Sequence, residues 1–141
     1  MIMRVNLFNA DKKSNQSTLS VCNYIEHMTP GLVKIHVFKI SSQDATDEEC
    51  APILPYFFRT VESLLPPYRI IFDLTDAPQA SVTDLEDLIA IGLVFVDLEG
   101  RVVISGACEW IQLHMQNQGI NRFIPQVKDL HTAISEFEQD E

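Results

Sequence analysis

The stretch from Tyr68 to Leu98, YRIIFDLTDAPQASVTDLEDLIAIGLVFVDL, constrains the fold of this chain more than any other. Ile70, Ile71, Phe72 and Leu74 form a short apolar run, rich in β-branched and aromatic residues, that suits a strand covered on both faces. Asp73 interrupts the run near its end. Thr75 to Ser81 is polar and contains Pro78, the composition of a loop. Thr83-Asp84-Leu85-Glu86 then matches a capping box: a hydroxyl for an orphan backbone N–H and a Glu three residues on. Leu85, Leu88, Ile89, Gly92, Leu93 and Val96 recur at helical steps and predict an amphipathic helix. A buried strand, a tight loop and a helix in that order form half of a crossover unit, and any chemistry would sit in the loop.

The flanking sequence extends the alternation. The spacing predicts a strand over Met3–Phe8 and, from Leu19, Cys22, Ile25 and Met28, a short helix over about Thr18–His27. Leu32–Ile40 alternates between Val33, Ile35, Val37 and Lys34, His36, Lys39, a strand with one wetter face. Ser41 to Cys50 is an acidic loop. Ile53–Leu65 reads as a helix, with Pro52 and Pro55 tolerated near its start and an apolar face of Leu54, Phe57, Phe58, Val61, Leu64 and Leu65. Glu99-Gly100 turns the chain into a buried strand over Arg101–Ser105. Trp110, Ile111 and Met115 predict a helix ending at Gly119. Arg122–Ile124 reads as a short strand, Asp129–Phe137 as the last helix, and the remaining residues as an acidic tail. The order predicts an α/β domain: one mixed sheet, largely parallel in its later strands, with packed crossover helices.

At 141 residues with 46% hydrophobic and 21% charged side chains, the chain is long enough for one domain with a real core. Its net charge of −10 argues against nucleic acid or an anionic membrane as partner, because both need clustered Lys and Arg. No apolar run predicts membrane insertion. The N-terminal MIMRVNLFNADKK lacks the features of a signal peptide, and Cys22, Cys50 and Cys108 are scattered and odd in number. These features predict a cytoplasmic protein without a disulfide framework.

Sites of chemistry are few. His27, His36, His114 and His131 lie in no metal-binding spacing, and neither a metal nor a cofactor is expected. Cys108 opens a helix, where the dipole favours a thiolate, but a small core residue is the simpler reading. The isolated glycines make no phosphate loop, and no nucleophile elbow is present. Asp73 stands where a phospho-accepting Asp stands in receiver domains, yet Ile40 leads into Ser41-Ser42-Gln43 instead of the acidic pair that would hold Mg²⁺. Its simplest role is to accept hydrogen bonds from loop N–H groups, such as those of Asp76 or Ala77. No catalytic constellation is visible, so the chain is expected not to be an enzyme.

Asp73-Leu74-Thr75-Asp76-Ala77-Pro78-Gln79-Ala80-Ser81-Val82-Thr83-Asp84-Leu85 resembles the centre of STAS domains, the fold of bacterial anti-sigma-factor antagonists and of sulfate-transporter tails. Gly100 to Gly106, Gln118 to Pro125 and Leu130 to Ile134 are similar to later segments of that family. The likeness covers about Leu32 to Phe137, so the domain is placed at 31–138, with 1–30 an extension and 139–141 a tail. The resemblance implies a regulatory domain that docks onto a protein, such as an anti-sigma kinase or a signalling or transport assembly. It places partner contacts at Thr75, Asp76, Ser81, Val82, Thr83, Asp84, Glu86 and Asp87. The family's phospho-acceptor serine falls on Val82, which has no hydroxyl, leaving Thr83 and Ser81 as candidate phosphorylation positions. A small-molecule or lipid-binding module of the same shape, with an apolar pocket under Phe57, Phe58 and Trp110, is the alternative.

Overall fold

A computed structural model describes residues 19–42 and 51–139. The strand expected over Met3–Phe8 and most of the acidic loop before Ala51 lie outside these residues. The elements are β1 (Ser20–Met28), β2 (Lys34–Ser41), β3 (Ala51–Pro52), α1 (Ile53–Thr60), β4 (Arg69–Asp76), α2 (Val82–Asp97), β5 (Arg101–Ser105), α3 (Glu109–Asn117), β6 (Gln126–Val127) and α4 (Leu130–Glu138). They build a six-stranded mixed sheet in the order β3-β1-β2-β4-β5-β6. β1 pairs antiparallel with β2 and β3, whereas β2, β4, β5 and β6 pair in parallel. The α/β fold expected from the alternation is therefore present.

Strand periodicity divides the core between the two faces of the sheet. Phe38, Ile40, Ile70, Phe72, Val102 and Ile104 belong to the larger cluster, which α1, α2 and α3 cover with residues such as Phe57, Leu85, Leu88 and Ile111. Ile35, Val37, Ile71 and Val103 face the other way and pack with Ala133 and Phe137 of α4. At the centre of the larger cluster, the Phe38 and Phe57 rings meet edge-on with centroids 4.8 Å apart, and Phe72 lies 5.6 Å from Phe57. Such pairs add to the area they bury. Gly92 lets α2 approach closely, because a Cβ there would stand 2.8 Å from Cδ1 of Ile124.

Four expectations are corrected. The segment expected as a helix over Thr18–His27 is β1, paired with β2 from Ser20↔Ser41 to Met28↔Lys34. Its apparent helical stripe buries nothing continuous, for Ile25 and Met28 are 41% and 51% exposed. The strand instead turns Leu19, Val21 and Tyr24 to the larger core cluster, with a register shift between Val21 and Asn23, a long-range pairing that helical spacing does not register. The strand expected at Arg122–Ile124 is displaced to Gln126–Val127, and Ile120–Arg122 forms a 3₁₀ turn after Gly119 at φ 71°. Phe123, within that expected strand, is exposed. In the second expected helix, α1 stops at Thr60 and continues as a 3₁₀ turn over Val61–Ser63, leaving Phe58 and Leu65 on the surface. Finally, Cys22 is disulfide-bonded and Cys108 is a free thiol.

β1 and β2 also carry a polar chain that runs from buried His36 to exposed Glu26. Tyr24 Oη lies 2.6 Å from Nδ1 of His36 and 3.1 Å from Oε2 of Glu26. A phenol has one proton, so His36 Nδ1–H donating to Tyr24, and Tyr24 donating to Glu26, satisfies all three groups. Burial holds the His36 pKa below its ordinary value, with Lys34 adding to the effect and Glu26 opposing it. A histidine kept neutral in the fold takes up its proton more readily when unfolded, so stability is present near neutral pH. It is lost as the pH falls through about 6.5 towards the lower folded value. Thermal melts at about pH 7.5 and 5.5 should show a larger loss of Tm for the native chain than for His36→Gln. Equal losses would assign the pH dependence to other groups.

Candidate functional site

β4 carries the chain to one end of the sheet, where four parallel strands present their C-terminal ends. The side chains there that point towards the α4 face are polar. Asp73 is buried, and its Oδ1 accepts hydrogen bonds from Thr75 N–H (3.2 Å), Thr75 Oγ1 (2.7 Å) and Ser105 Oγ (3.2 Å). Lys39 Nζ lies 3.9 Å from Asp73 Oδ2. The carboxylate thus ties the ends of β2, β4 and β5 together. The donors come from Thr75 and Ser105 rather than from Asp76 or Ala77, whose N–H goes to Leu74 O at 3.0 Å. Three donors on one oxygen and a cation beside the other describe a structural clamp, not a nucleophile awaiting phosphate. Gly106 completes it at φ 73°, since a Cβ there would clash with Thr75 Oγ1 and stand 3.2 Å from Asp73 Oδ1.

The loop beyond the clamp is held at several points. Ala77 and Ala80 are buried. Ser42 N–H donates to Asp76 O at 3.2 Å, and Gln79 N–H donates to Ser42 Oγ at 3.3 Å. Trp110 Nε1–H donates to Pro78 O at 3.3 Å, fixing the loop to α3. Between these anchors Thr75, Asp76, Pro78 and Gln79 are exposed. The result is a rigid loop with an outward polar edge.

The helix start differs from the capping box expected at Thr83. Ser81 is the N-cap, extended at φ −83° and ψ 163°, and its Oγ accepts from Asp84 N–H at 3.1 Å. The pattern Ser81-x-x-Asp84 wins over Thr83-x-x-Glu86 because buried Ala80 fixes the chain entry one residue before Ser81. Asp84 in turn accepts from Leu19 N–H at 3.2 Å, tying the start of the described chain to α2. Asp87 is half-buried, and Glu86 is exposed with an Oε2 3.9 Å from Nε2 of His114.

The eight positions named from the sequence are therefore contiguous, but they divide. Thr75, Asp76, Val82, Thr83 and Glu86 are exposed, whereas Ser81, Asp84 and Asp87 are half-buried, with Ser81 and Asp84 engaged in holding the turn. The positions that sequence reasoning missed are Lys39 and Ser105. Nothing local signals them, because they meet Asp73 only through parallel strand pairing at Lys39↔Asp73 and Asp73↔Ser105.

Among the described residues no three His, Cys, Asp or Glu side chains converge as metal ligands. Phe57 is buried among Phe38, Tyr56 and Phe72, and Phe58 is 65% exposed, so these two do not share a pocket wall. A small open cleft of about 180 Å³ lies between Ala107, Gln112, Gln126, Val127 and Lys128. It falls short of the roughly 300–1,000 Å³ of ordinary ligand sites. No helix of the described residues is long and apolar enough to cross a membrane. No protein-family model matches the chain, and no curated protein matches it significantly.

Two measurements check this geometry. Ser81→Ala should lower unfolding free energy by about 1 kcal/mol, whereas Thr83→Ala should change it by no more than a few tenths. The reverse order in denaturant melts would restore the cap to Thr83. Gly106→Ala should cost about 1–3 kcal/mol, from its positive φ and the clash with Thr75, while Gly119→Ala, with open space around its Cβ, should cost less.

Proposed function

We propose that this chain is a non-catalytic docking domain of the STAS type, which binds a protein through the β4–α2 loop and the first turns of α2. One observation carries the reading. Val82, at the position of the family's phospho-acceptor serine, is 47% exposed on a helix turn whose cap is supplied by its neighbour Ser81. A branched apolar side chain at the rim of a rigid, acidic surface is suited to a protein contact, and between Arg69 and Arg101 the sequence holds no Lys or Arg.

Regulation by phosphate would fall on Thr83. It is exposed in the first turn of α2, where free N–H groups and the helix dipole accept negative charge. Ser81 is the poorer acceptor, because its Oγ already holds Asp84 N–H. The partner, an anti-sigma kinase-like protein or a signalling or transport assembly, would meet Thr75, Asp76, Val82, Thr83 and Glu86 directly. The cytoplasmic setting expected from the N-terminal sequence stands against the disulfide at Cys22, a bond that persists in oxidising compartments. Thiol counting on protein isolated without reductant decides between them.

Affinity capture from the native cell extract should recover a partner with the native chain and with Thr83→Ser. Val82→Asp and Thr83→Glu should lose that same species while retaining the native far-UV spectrum and Tm within a few degrees. Unchanged recovery by both charged variants would sink the assignment of this surface.

A further inference from the structure

The end of the sheet that carries the Asp73 clamp holds a second feature, at β5 and β6. These strands run in parallel and stop together, with Ser105 opposite Val127. Gly106 N–H donates to Val127 O at 3.2 Å, so the chain leaves β5 against β6 and enters α3 through Ala107 and Cys108. The open cleft of about 180 Å³ lies here, lined by Ala107, Gln112, Gln126, Val127 and Lys128. The C-terminal ends of parallel strands are where open α/β sheets receive ligands.

Three of the five lining side chains are polar, and none is acidic. Gln126 is half-buried, and its Oε1 is buried without a hydrogen-bond partner among the described residues. An acceptor left in that state is costly, and a donor brought into the cleft removes the cost. The terminal torsion of glutamine is broad, so the oxygen can swing towards such a donor. Gln112 also has an oxygen to offer, because its Nε2 is taken by Ala107 O at 2.8 Å. Lys128 brings an exposed ammonium group. Asp129, the carboxylate next to it in sequence, is engaged at the start of α4, where its Oδ1 accepts from Thr132 N–H at 2.8 Å. The cleft thus combines acceptors from two amides with one positive charge, and Ala107 and Val127 complete its wall.

We propose that this cleft binds a small zwitterionic amino acid. The ligand's ammonium group donates to the amide oxygens of Gln126 and Gln112, and its carboxylate pairs with Lys128. Each charge then meets its complement, and the unpartnered oxygen of Gln126 gains the donor it lacks. A simple anion brings no donor to the amide oxygens, and a simple cation meets the charge of Lys128. Size narrows the class further. A volume of 180 Å³ is the share of about six water molecules, which suits an amino acid of about six heavy atoms, such as alanine, and not a nucleotide or a lipid. The site uses neither the β4–α2 loop nor the first turns of α2, so it stands independently of the docking reading.

The test titrates the full, ¹⁵N-labelled chain with three probes of nearly equal size: L-alanine, propionate, which lacks the ammonium group, and L-alaninamide, which lacks the carboxylate. In ¹H–¹⁵N spectra, alanine should shift the side-chain amides of Gln126 and Gln112 saturably, with a Kd in about the millimolar range expected of so small a ligand. Propionate and alaninamide should bind about tenfold more weakly or not at all. Lys128→Gln should weaken alanine binding about fivefold or more. Gln126→Leu should abolish the preference for alanine over propionate. Because Gln126 Oε1 has no bond to lose among the described residues, that variant should also keep or raise the native Tm. No saturable shift with alanine up to about 50 mM, propionate or alaninamide binding as tightly as alanine, or undiminished binding by Lys128→Gln would each overturn the proposal. A fall of several degrees in the Tm of Gln126→Leu would assign its oxygen to the fold and overturn it too.

Discussion

The pairing of β4 with β2 on one edge and β5 on the other is the constraint on which the remaining structure depends. β4 is buried along Ile70–Leu74, with Phe72 facing three helices and Ile71 facing α4. A strand in that position has no freedom of register, because a one-residue slip would exchange the contents of the two cores. The fixed register also sets Lys39 and Ser105 beside Asp73 at the far end. The clamp around Asp73 is thus a consequence of strand pairing, and it transmits the rigidity of the sheet into the loop.

That rigidity gives the loop its character. A buried carboxylate is costly unless hydrogen-bonded, and Asp73 is satisfied by three donors and a nearby ammonium group. The Asp73 carboxylate is therefore engaged in structure, whereas Ser41 Oγ at the end of β2 and Gln126 Oε1 on β6 are buried without a hydrogen-bond partner among the described residues. Beyond them Thr75, Asp76, Val82 and Thr83 are exposed, on a loop pinned at Pro78 and a helix capped by Ser81.

α2 links this edge to the core. Its inner face needs Leu85, Leu88 and Phe95 for packing, and Gly92 for close approach to Phe72 and Val102. None of these needs accounts for the apolar residues on its outer face. Val94 and Leu98 stand on that face, each 48% exposed.

The sequence by itself determined the elements whose signals are local and redundant. β4, α2 and β5 each combine sufficient apolar residues with a clear period and flanking turn residues, so their type could not be mistaken. Gly119 and Glu99-Gly100 marked turns for the same reason. The tertiary structure decided where a segment satisfied two periods at once. Leu19, Cys22, Ile25 and Met28 fit a helix, but Ser20–Met28 is a strand because β2 offers a complete edge of hydrogen-bonding groups. It also decided the cap, since Ser81 and Thr83 both head plausible boxes and only the burial of Ala80 fixes which one opens the helix. The partners of Asp73 come from strands far apart in sequence. Their convergence is a property of register, which no single stretch of residues contains.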